Sequence, residues 1–77
     1  MKLDKYLEET GIPTSRFATR CKLTYPQVRH ILLGHSPTLE TALRIEHYTQ
    51  GKVKVVDLLN EETRKEIYGE SKAHALN

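Results

Sequence analysis

Apolar residues recur through most of this chain at the three- and four-residue spacing of short amphipathic helices. In the first such segment Leu3, Tyr6 and Leu7 are spaced i, i+3 and i+4, and charged residues lie between and after them. This spacing predicts a helix over residues 2–9. The sequence Gly-Ile-Pro at 11–13 ends that helix, and its isoleucine is expected to pack inward.

A second helix is predicted over residues 14–22, where Phe17 and Cys21 fall on one face. Thr14 has a side chain suited to the N-cap of this helix. A third helix is predicted over residues 25–33. Its apolar stripe recurs at three and four residues and comprises Val28, Ile31 and Leu32, and Gly34 follows as a C-terminal stop.

The start of the third predicted helix has the pattern of a capping box. Thr24 supplies a hydroxyl at the N-cap, and Gln27 follows three residues later. Pro26 is compatible with the first turn, because N–H groups there have no intrahelical partner. Two short helices joined by three or four residues are typical of a helix-turn-helix.

Residues 34–37 are predicted to form a loop that leads into a fourth helix. Thr38 is a suitable N-cap for this helix, which is expected to run to Thr49 before Gly51 ends it. Its inner face is predicted to comprise Leu39, Ala42, Leu43, Ile45 and the aliphatic part of Glu46.

Residues 52–55, Lys-Val-Lys-Val, alternate as a β-strand does. A strand this short is either an extended link or an edge that pairs with a second subunit. Asp57 is expected to cap a short fifth helix, and the pattern over residues 61–68 is compatible with further helix. Residues 70–77 are expected to fray. Together these elements predict an all-α fold, a compact bundle of about five short helices.

Charge is distributed unevenly along the chain, although the net charge is only +2. No Asp or Glu occurs between residues 10 and 39, whereas Arg16, Arg20, Lys22 and Arg29 all fall in that interval. Beyond it, acidic residues slightly outnumber basic ones. This asymmetry indicates one positive face, which is typical of a surface that contacts nucleic-acid phosphates. An ordinary solvated face is the alternative interpretation.

These residues resemble the lambda-repressor-like DNA-binding domains, in particular Cro-type and antitoxin-type phage regulators. The resemblance covers roughly residues 3–60. Its motif positions are Phe17-Ala18, Leu23, Val28, Ile31 and Gly34, followed by residues 37–42, 44–46, 49–53 and 57–58. The family usually has Gly at the turn position that Lys22 occupies, so a positive φ there would impose strain of order 1 kcal/mol. Alignment with the family places the N-cap of the second helix one residue before Thr14, at Pro13.

The resemblance implies a sequence-specific transcriptional regulator of double-stranded DNA, a Cro-type phage or prophage repressor. Such a protein would act as a homodimer on a palindromic operator, with half-sites ~34 Å apart. Residues 1–60 would then be the helix-turn-helix DNA-binding domain. Residues 61–77 would be a C-terminal helix and tail, with Ile67-Tyr68 a candidate for dimerisation beside residues 53–56. We expect such a regulator in the bacterial cytoplasm, at the nucleoid.

Two other functions are compatible with the same pattern. The first is an antitoxin that masks a partner toxin through residues 61–77 and represses its own promoter. The second is a helix-turn-helix fold that makes only protein contacts, although the acid-free basic face argues against it. The operator sequence, and repression as opposed to activation, stay open.

The residues expected to read DNA bases lie on the outward side of the third helix. A recognition helix directs its N-terminal residues toward base edges in the major groove. The candidates are Tyr25, Pro26, Gln27, Arg29 and His30. Arg29 is suited either to a guanine edge or to a phosphate. Gln27 is suited either to adenine or to capping Thr24, and Tyr25 with Pro26 to a thymine methyl group or, through the hydroxyl, a phosphate.

Phosphate contacts are expected on both sides of that helix. They combine cationic side chains with hydroxyl and imidazole groups near helix ends. The candidates are Thr14, Ser15, Arg16, Arg20, Lys22, Thr24, His35, Ser36 and Thr38. For each hydroxyl a plain helix cap is the alternative, and at Thr38 the cap is the favoured role.

Several other classes of site are not expected. The sequence shows no Ser/His/Asp set, phosphate loop or paired carboxylates in an apolar pocket, so we predict no catalytic residue, cofactor or small-molecule ligand. The histidines and Cys21 match no zinc-ligand spacing, so no metal site is predicted. Cys21 is expected in the core, as in a reducing cytosol. No signal peptide and no apolar run near the ~20 residues of a membrane helix is visible.

Overall fold

The computed structural model describes residues 1–66 and consists there of six helices connected by loops, with no strand. The helices are α1 (Leu3–Thr10), α2 (Thr14–Arg20), α3 (Tyr25–Leu32), α4 (Leu39–Tyr48), α5 (Val55–Leu58) and α6 (Glu61–Arg64). The predicted all-α class is confirmed, with six helices in this region instead of about five. None of the described helices is long and apolar enough to cross a membrane. The expectations for Ile67-Tyr68 and 70–77 lie outside the described residues.

The core is organised around Phe17, which is fully buried on α2. Tyr6 from α1 and Tyr48 from α4 both approach its ring edge-on, with ring centroids 6.0 and 5.6 Å away. Such T-shaped pairs add to the stabilisation that burial alone provides. Three helices therefore pack on one aromatic side chain.

Cys21 is buried in the same core, as predicted. Burial raises the pKa of its thiol to about 11, because a thiolate loses solvation in apolar surroundings. The thiol is therefore protonated at neutral pH, and its role in this fold is that of a small apolar side chain.

The second and third helices start close to where the sequence predicts. The capping box of α3 is confirmed: Thr24 accepts from the Gln27 N–H, and Gln27 Oε1 accepts from the Thr24 N–H. Thr38 also caps α4 as predicted, through the Thr41 N–H. Of the two N-cap positions predicted as alternatives for α2, the structure has Pro13 and not Thr14.

The inner face of α4 differs from the prediction. Leu39 and Leu43 are 67% and 48% exposed, so their assignment to the core was wrong. Thr41 and Thr49 are buried instead, together with the predicted Ala42 and Ile45. Apolar spacing alone placed the stripe too far round the helix, because it gave no weight to threonine side chains, whose hydroxyl groups can be buried when they form hydrogen bonds nearby.

Thr49 joins α4 to the segment that follows it. Its hydroxyl donates to the carbonyl of Ile45 at 2.9 Å and accepts from the N–H of Val53 at 3.1 Å. Both partners and Thr49 itself are almost completely buried. The hydroxyl therefore satisfies a buried backbone donor that would otherwise have no partner.

Residues 52–55 do not form a strand, so the alternative of a pairing edge was wrong, whereas residues 52–54 link α4 to α5 as the other alternative predicted. Val53 is fully buried in the core of its own chain, which removes it from any edge that could pair with a second subunit. The fifth helix begins at Val55 instead of near Asp57, and Asp57 accepts from the Lys54 N–H at 2.9 Å. The Glu46 carboxylate holds the start of α5 through the Val55 N–H, at 3.0 Å.

The last described helix, α6, is tied to the loop between α3 and α4. Asn60 caps it by accepting from the Thr63 N–H at 2.7 Å. Ser36 accepts from the Asn60 N–H at 2.8 Å and hydrogen-bonds the Thr63 hydroxyl at 3.4 Å. Residues on both sides of the predicted boundary at 60 thus contact the same loop.

We expect the substitution Thr49→Val to lower the free energy of unfolding by about 1–3 kcal/mol, because it leaves the Val53 N–H buried without an acceptor. Thr19→Val is the matched control: Thr19 also donates to the carbonyl four residues earlier, but it is exposed. Its cost should stay within about 0.5 kcal/mol. Urea unfolding followed by circular dichroism measures both, and equal losses would contradict this role for Thr49.

Acid should weaken the fold through Asp57. Partial burial alone raises the pKa of its carboxyl group, but hydrogen bonds from the Met1 amine (2.8 Å) and the Lys54 N–H (2.9 Å) outweigh it and lower the pKa below its usual value. A lowered folded-state pKa gives stability that is present above the unfolded-state pKa of about 3.9 and is lost as pH falls through the folded-state value. Asp57→Asn should therefore show a smaller loss of stability below about pH 4 than the parent chain. Parallel losses in a pH series of urea melts would disprove this.

Candidate nucleic-acid interface

The start of α3 presents its polar side chains to solvent. Tyr25, Pro26, Arg29 and His30 are all exposed, with Tyr25 at 46%. Val28, on the opposite side of the helix, is fully buried. The helical period therefore separates the residues that hold α3 in place from those available to a ligand, as the sequence predicted.

Gln27 is exposed but already bonded. Its Oε1 accepts from the Thr24 N–H at 2.8 Å and from the Thr24 hydroxyl at 3.2 Å. Reading adenine with two hydrogen bonds requires both the oxygen and the amide nitrogen of the side chain. Of the two roles left open for Gln27, the structure contains the capping role.

The outer face of α2 provides a second cationic surface. Ser15, Arg16, Thr19 and Arg20 line a shallow depression there. Arg20 is held at one end, where its Nη1 donates to the Tyr48 hydroxyl at 3.0 Å. The ring of Tyr48 packs edge-on against Phe17 in the core. A side chain anchored in the core therefore positions the Arg20 guanidinium.

The turn between α2 and α3 depends on Lys22, which has a φ of 59°. The Leu23 N–H donates to the Ala18 carbonyl at 2.8 Å, and the Lys22 N–H to the Thr19 carbonyl at 3.1 Å. This pair of bonds is a Schellman motif, which needs a left-handed residue at the position of Lys22. Lys22 therefore adopts the positive φ at this turn, and α2 ends at Arg20 instead of the predicted Lys22.

Arg44 supports the same turn from α4. Its Nη1 donates to the Lys22 carbonyl at 2.9 Å, and its Nη2 pairs with the Glu40 carboxylate at 3.0 Å. The ion pair is exposed and contributes little to stability by itself. Its consequence is geometric, because Arg44 links α4 to the carbonyl of Lys22, whose side chain is exposed.

The loop after α3 contains the remaining predicted contacts. His30 and His35 place their rings 5.6 Å apart, and both side chains are exposed. Ser36 is half-buried and bonded to the start of α6. The Thr38 hydroxyl bonds Thr41 within α4. Thr24, Ser36 and Thr38 thus use their hydroxyl groups in internal hydrogen bonds.

At the start of α2, Ser15 is exposed and Thr14 is half-buried. These two complete the predicted set of site residues. All cationic and imidazole side chains of that set are exposed, namely those of Arg16, Arg20, Lys22, Arg29, His30 and His35. The stretch of chain that carries them, residues 11–39, contains no carboxylate. Across residues 1–66, no three His, Cys, Asp or Glu side chains are placed to hold a metal ion.

Sequence reasoning missed three residues that shape this surface. Thr19 lies beside Arg16 and Arg20 in the α2 depression, and its spacing from Arg16 would have placed it there. Tyr48 and Arg44 belong to α4 and act on α2 and on the turn through long-range hydrogen bonds. No local pattern in the sequence signals such contacts.

We compared the chain with known proteins in three ways. No family model matches it, and neither the curated proteins nor the solved structures include a match. The family resemblance noted from the sequence therefore stays a proposal.

Lys22→Gly should raise the free energy of unfolding by about 0.5–1 kcal/mol, because glycine adopts the positive φ without the steric cost of a Cβ atom. Lys22→Ala is the control, since it removes the same side chain but keeps the strained backbone. Urea unfolding of the two variants should show a gain for glycine alone. Equal stabilities would mean that the turn stores no such strain.

Proposed function

We propose that this protein is a sequence-specific, double-stranded DNA-binding transcriptional regulator that inserts α3 into the major groove. Its arrangement would be the lambda-repressor-like helix-turn-helix, formed by α2, the turn at residues 21–24 and α3, in a Cro-type phage or prophage repressor. The observation that carries this proposal is the exposed cationic surface of α2, the turn and α3, which lies within a stretch of chain free of carboxylates.

The shape of this surface supports the proposal. DNA binding requires cations that reach phosphates on either side of a groove, and side chains between them that meet base edges. Arg16, Arg20 and Lys22 supply exposed cations on α2 and the turn, while Arg29 lies on α3. No side chain of residues 11–39 would repel a negatively charged duplex.

The internal hydrogen bonds distinguish the residues that are available to DNA from those that fix helix ends. Tyr25, Pro26, Arg29 and His30 are exposed on α3 and would read bases, whereas Gln27 would keep its capping role. Arg16, Arg20, Lys22 and His35 would contact phosphates, together with Ser15 at the start of α2. The hydroxyl groups of Thr24, Ser36 and Thr38 would contribute by fixing helix ends instead of touching DNA.

Single substitutions in this surface test the proposal. After an operator is selected from a random pool, Arg29→Ala should weaken operator binding by about 1–3 kcal/mol and relax selectivity at one base position per half-site. Arg16→Ala should weaken binding to operator and random duplex alike and reduce the salt slope by about 1. Fluorescence anisotropy over a salt series measures both effects.

Lys52→Ala is the matched control, because Lys52 is an exposed cation in the loop after α4, outside the proposed surface. It removes the same single charge and should change neither quantity. An equal loss of affinity for Arg16→Ala and Lys52→Ala would mean that the effect comes from net charge and not from a contact of Arg16 with phosphate. An Arg29→Ala variant that binds DNA as tightly and selectively as the parent would contradict the placement of α3 in the groove.

A further inference from the structure

Leu39 and Leu43 form an unexpected apolar strip on the outside of α4. They lie one turn apart on one side of the helix and are 67% and 48% exposed. A shallow hollow beside Leu43 continues this strip, and it is lined by Leu43, Glu46, His47, Gln50 and Gly51. Exposed apolar side chains next to a hollow are typical of a surface that binds a partner.

We propose that this strip, Leu39 and Leu43 with the adjoining hollow, is the surface on which a second copy of the chain docks, with the two α4 helices antiparallel. The inference deepens the proposed function, because it assigns to α4 the contact between the two copies expected on a palindromic site. Residues 52–55 cannot supply that contact as a strand edge, since Val53 is buried and the segment is not a strand.

The spacing of the strip is complementary to itself. Residues 43, 46, 47 and 50 are related as i, i+3, i+4 and i+7, which is the outline of a hole that receives a side chain from a facing helix. If Leu43 lies on the two-fold axis, an antiparallel copy places its Leu39 opposite this hole. The same contact then forms twice, as an isologous interface requires.

The charges beside the strip also fit this arrangement. At 3.6 residues per turn, Glu40, Arg44 and His47 fall along one side of the strip and Glu46 along the other. In an antiparallel pair about a two-fold axis, corresponding sides of the two helices meet. Glu40 of one copy therefore faces Arg44 and His47 of the second copy, an attractive contact made twice.

Other charged surfaces on the described residues are less suited to a second copy. The cationic surface on α2 and α3 would meet itself with like charges. The cleft between α1 and α6 is lined by apolar residues of α3 and α5 and also by Asp4, Glu61 and Glu62, with Lys2 as a cation. An isologous contact there would oppose carboxylates to carboxylates, and such juxtaposition is costly.

The contact is expected to be weak in solution. It is centred on one helix of ten residues, which offers less area than the roughly 800 Å² per partner of a standard interface. Two copies bound to adjacent half-sites would have a high effective concentration, so a weak contact would suffice on DNA. The interface is therefore best measured without DNA, which separates its failure from failure of DNA binding.

Sedimentation equilibrium of the full chain, from about 10 µM to about 1 mM, should show a reversible monomer–dimer equilibrium. Leu43→Glu should weaken dimerisation by more than about 100-fold, since it places two carboxylates at the axis. Leu39→Glu should weaken it as well, and provides a second variant if the first fails to fold by circular dichroism. Leu33→Glu is the matched control: Leu33 is 63% exposed but lies at the end of α3, outside the strip.

A charge exchange tests the antiparallel register. Glu40→Lys should weaken the dimer, because the new cation faces Arg44 and His47 of the second copy. Adding His47→Glu to that variant should restore much of the lost affinity. Restoration distinguishes a contact between copies from a general effect of charge, since the double variant reverses both partners.

Three outcomes would overturn the proposal. The chain could stay monomeric at about 1 mM, it could dimerise equally well with Leu43→Glu, or Leu33→Glu could disrupt the dimer as strongly. In a monomer, nuclear Overhauser contacts from the methyl groups of Leu39 and Leu43 to residues 67–77 would assign the strip to the chain's own C-terminal segment instead.

Discussion

The left-handed backbone at Lys22 is the constraint on which the proposed binding surface depends. It ends α2 and leads the chain into α3, so that the two helices are in contact, with their apolar residues buried and their cationic residues exposed. A lysine in this conformation carries steric strain, and the surrounding structure compensates with two backbone hydrogen bonds and with the guanidinium of Arg44. The strain thus accompanies the turn that brings α2 against α3.

Three helices meet at a single aromatic side chain in the core. Phe17 is fully buried and is contacted edge-on by Tyr6 and Tyr48. Tyr48 also hydrogen-bonds Arg20 on the surface, so the core positions one of the cations proposed to hold phosphate. In a chain of this length the fraction of buried surface is small. Tyr48 therefore has two roles, because it packs against the core and also orients a surface residue.

Local features of the sequence predicted much of this structure, and long-range features accounted for the errors. The capping box at Thr24, the cap at Thr38 and the core position of Cys21 follow from side chains and their immediate neighbours. Leu39 and Leu43 were misplaced because apolar spacing cannot tell which side of a helix meets the core when threonine hydroxyls also bond there. The Arg44 contact with Lys22 spans 22 residues, and no local rule reaches that far.

The central claim, that the α2–α3 surface binds DNA, is tested most directly by the affinity of the unaltered chain for duplex DNA over a range of salt, with selection from a random pool. We predict that log affinity falls linearly with log salt concentration, because cations displaced from phosphates drive the binding. Selection should return a palindromic sequence. The absence of any affinity at about 50 mM salt, where even non-specific phosphate contacts should be measurable, would contradict the account.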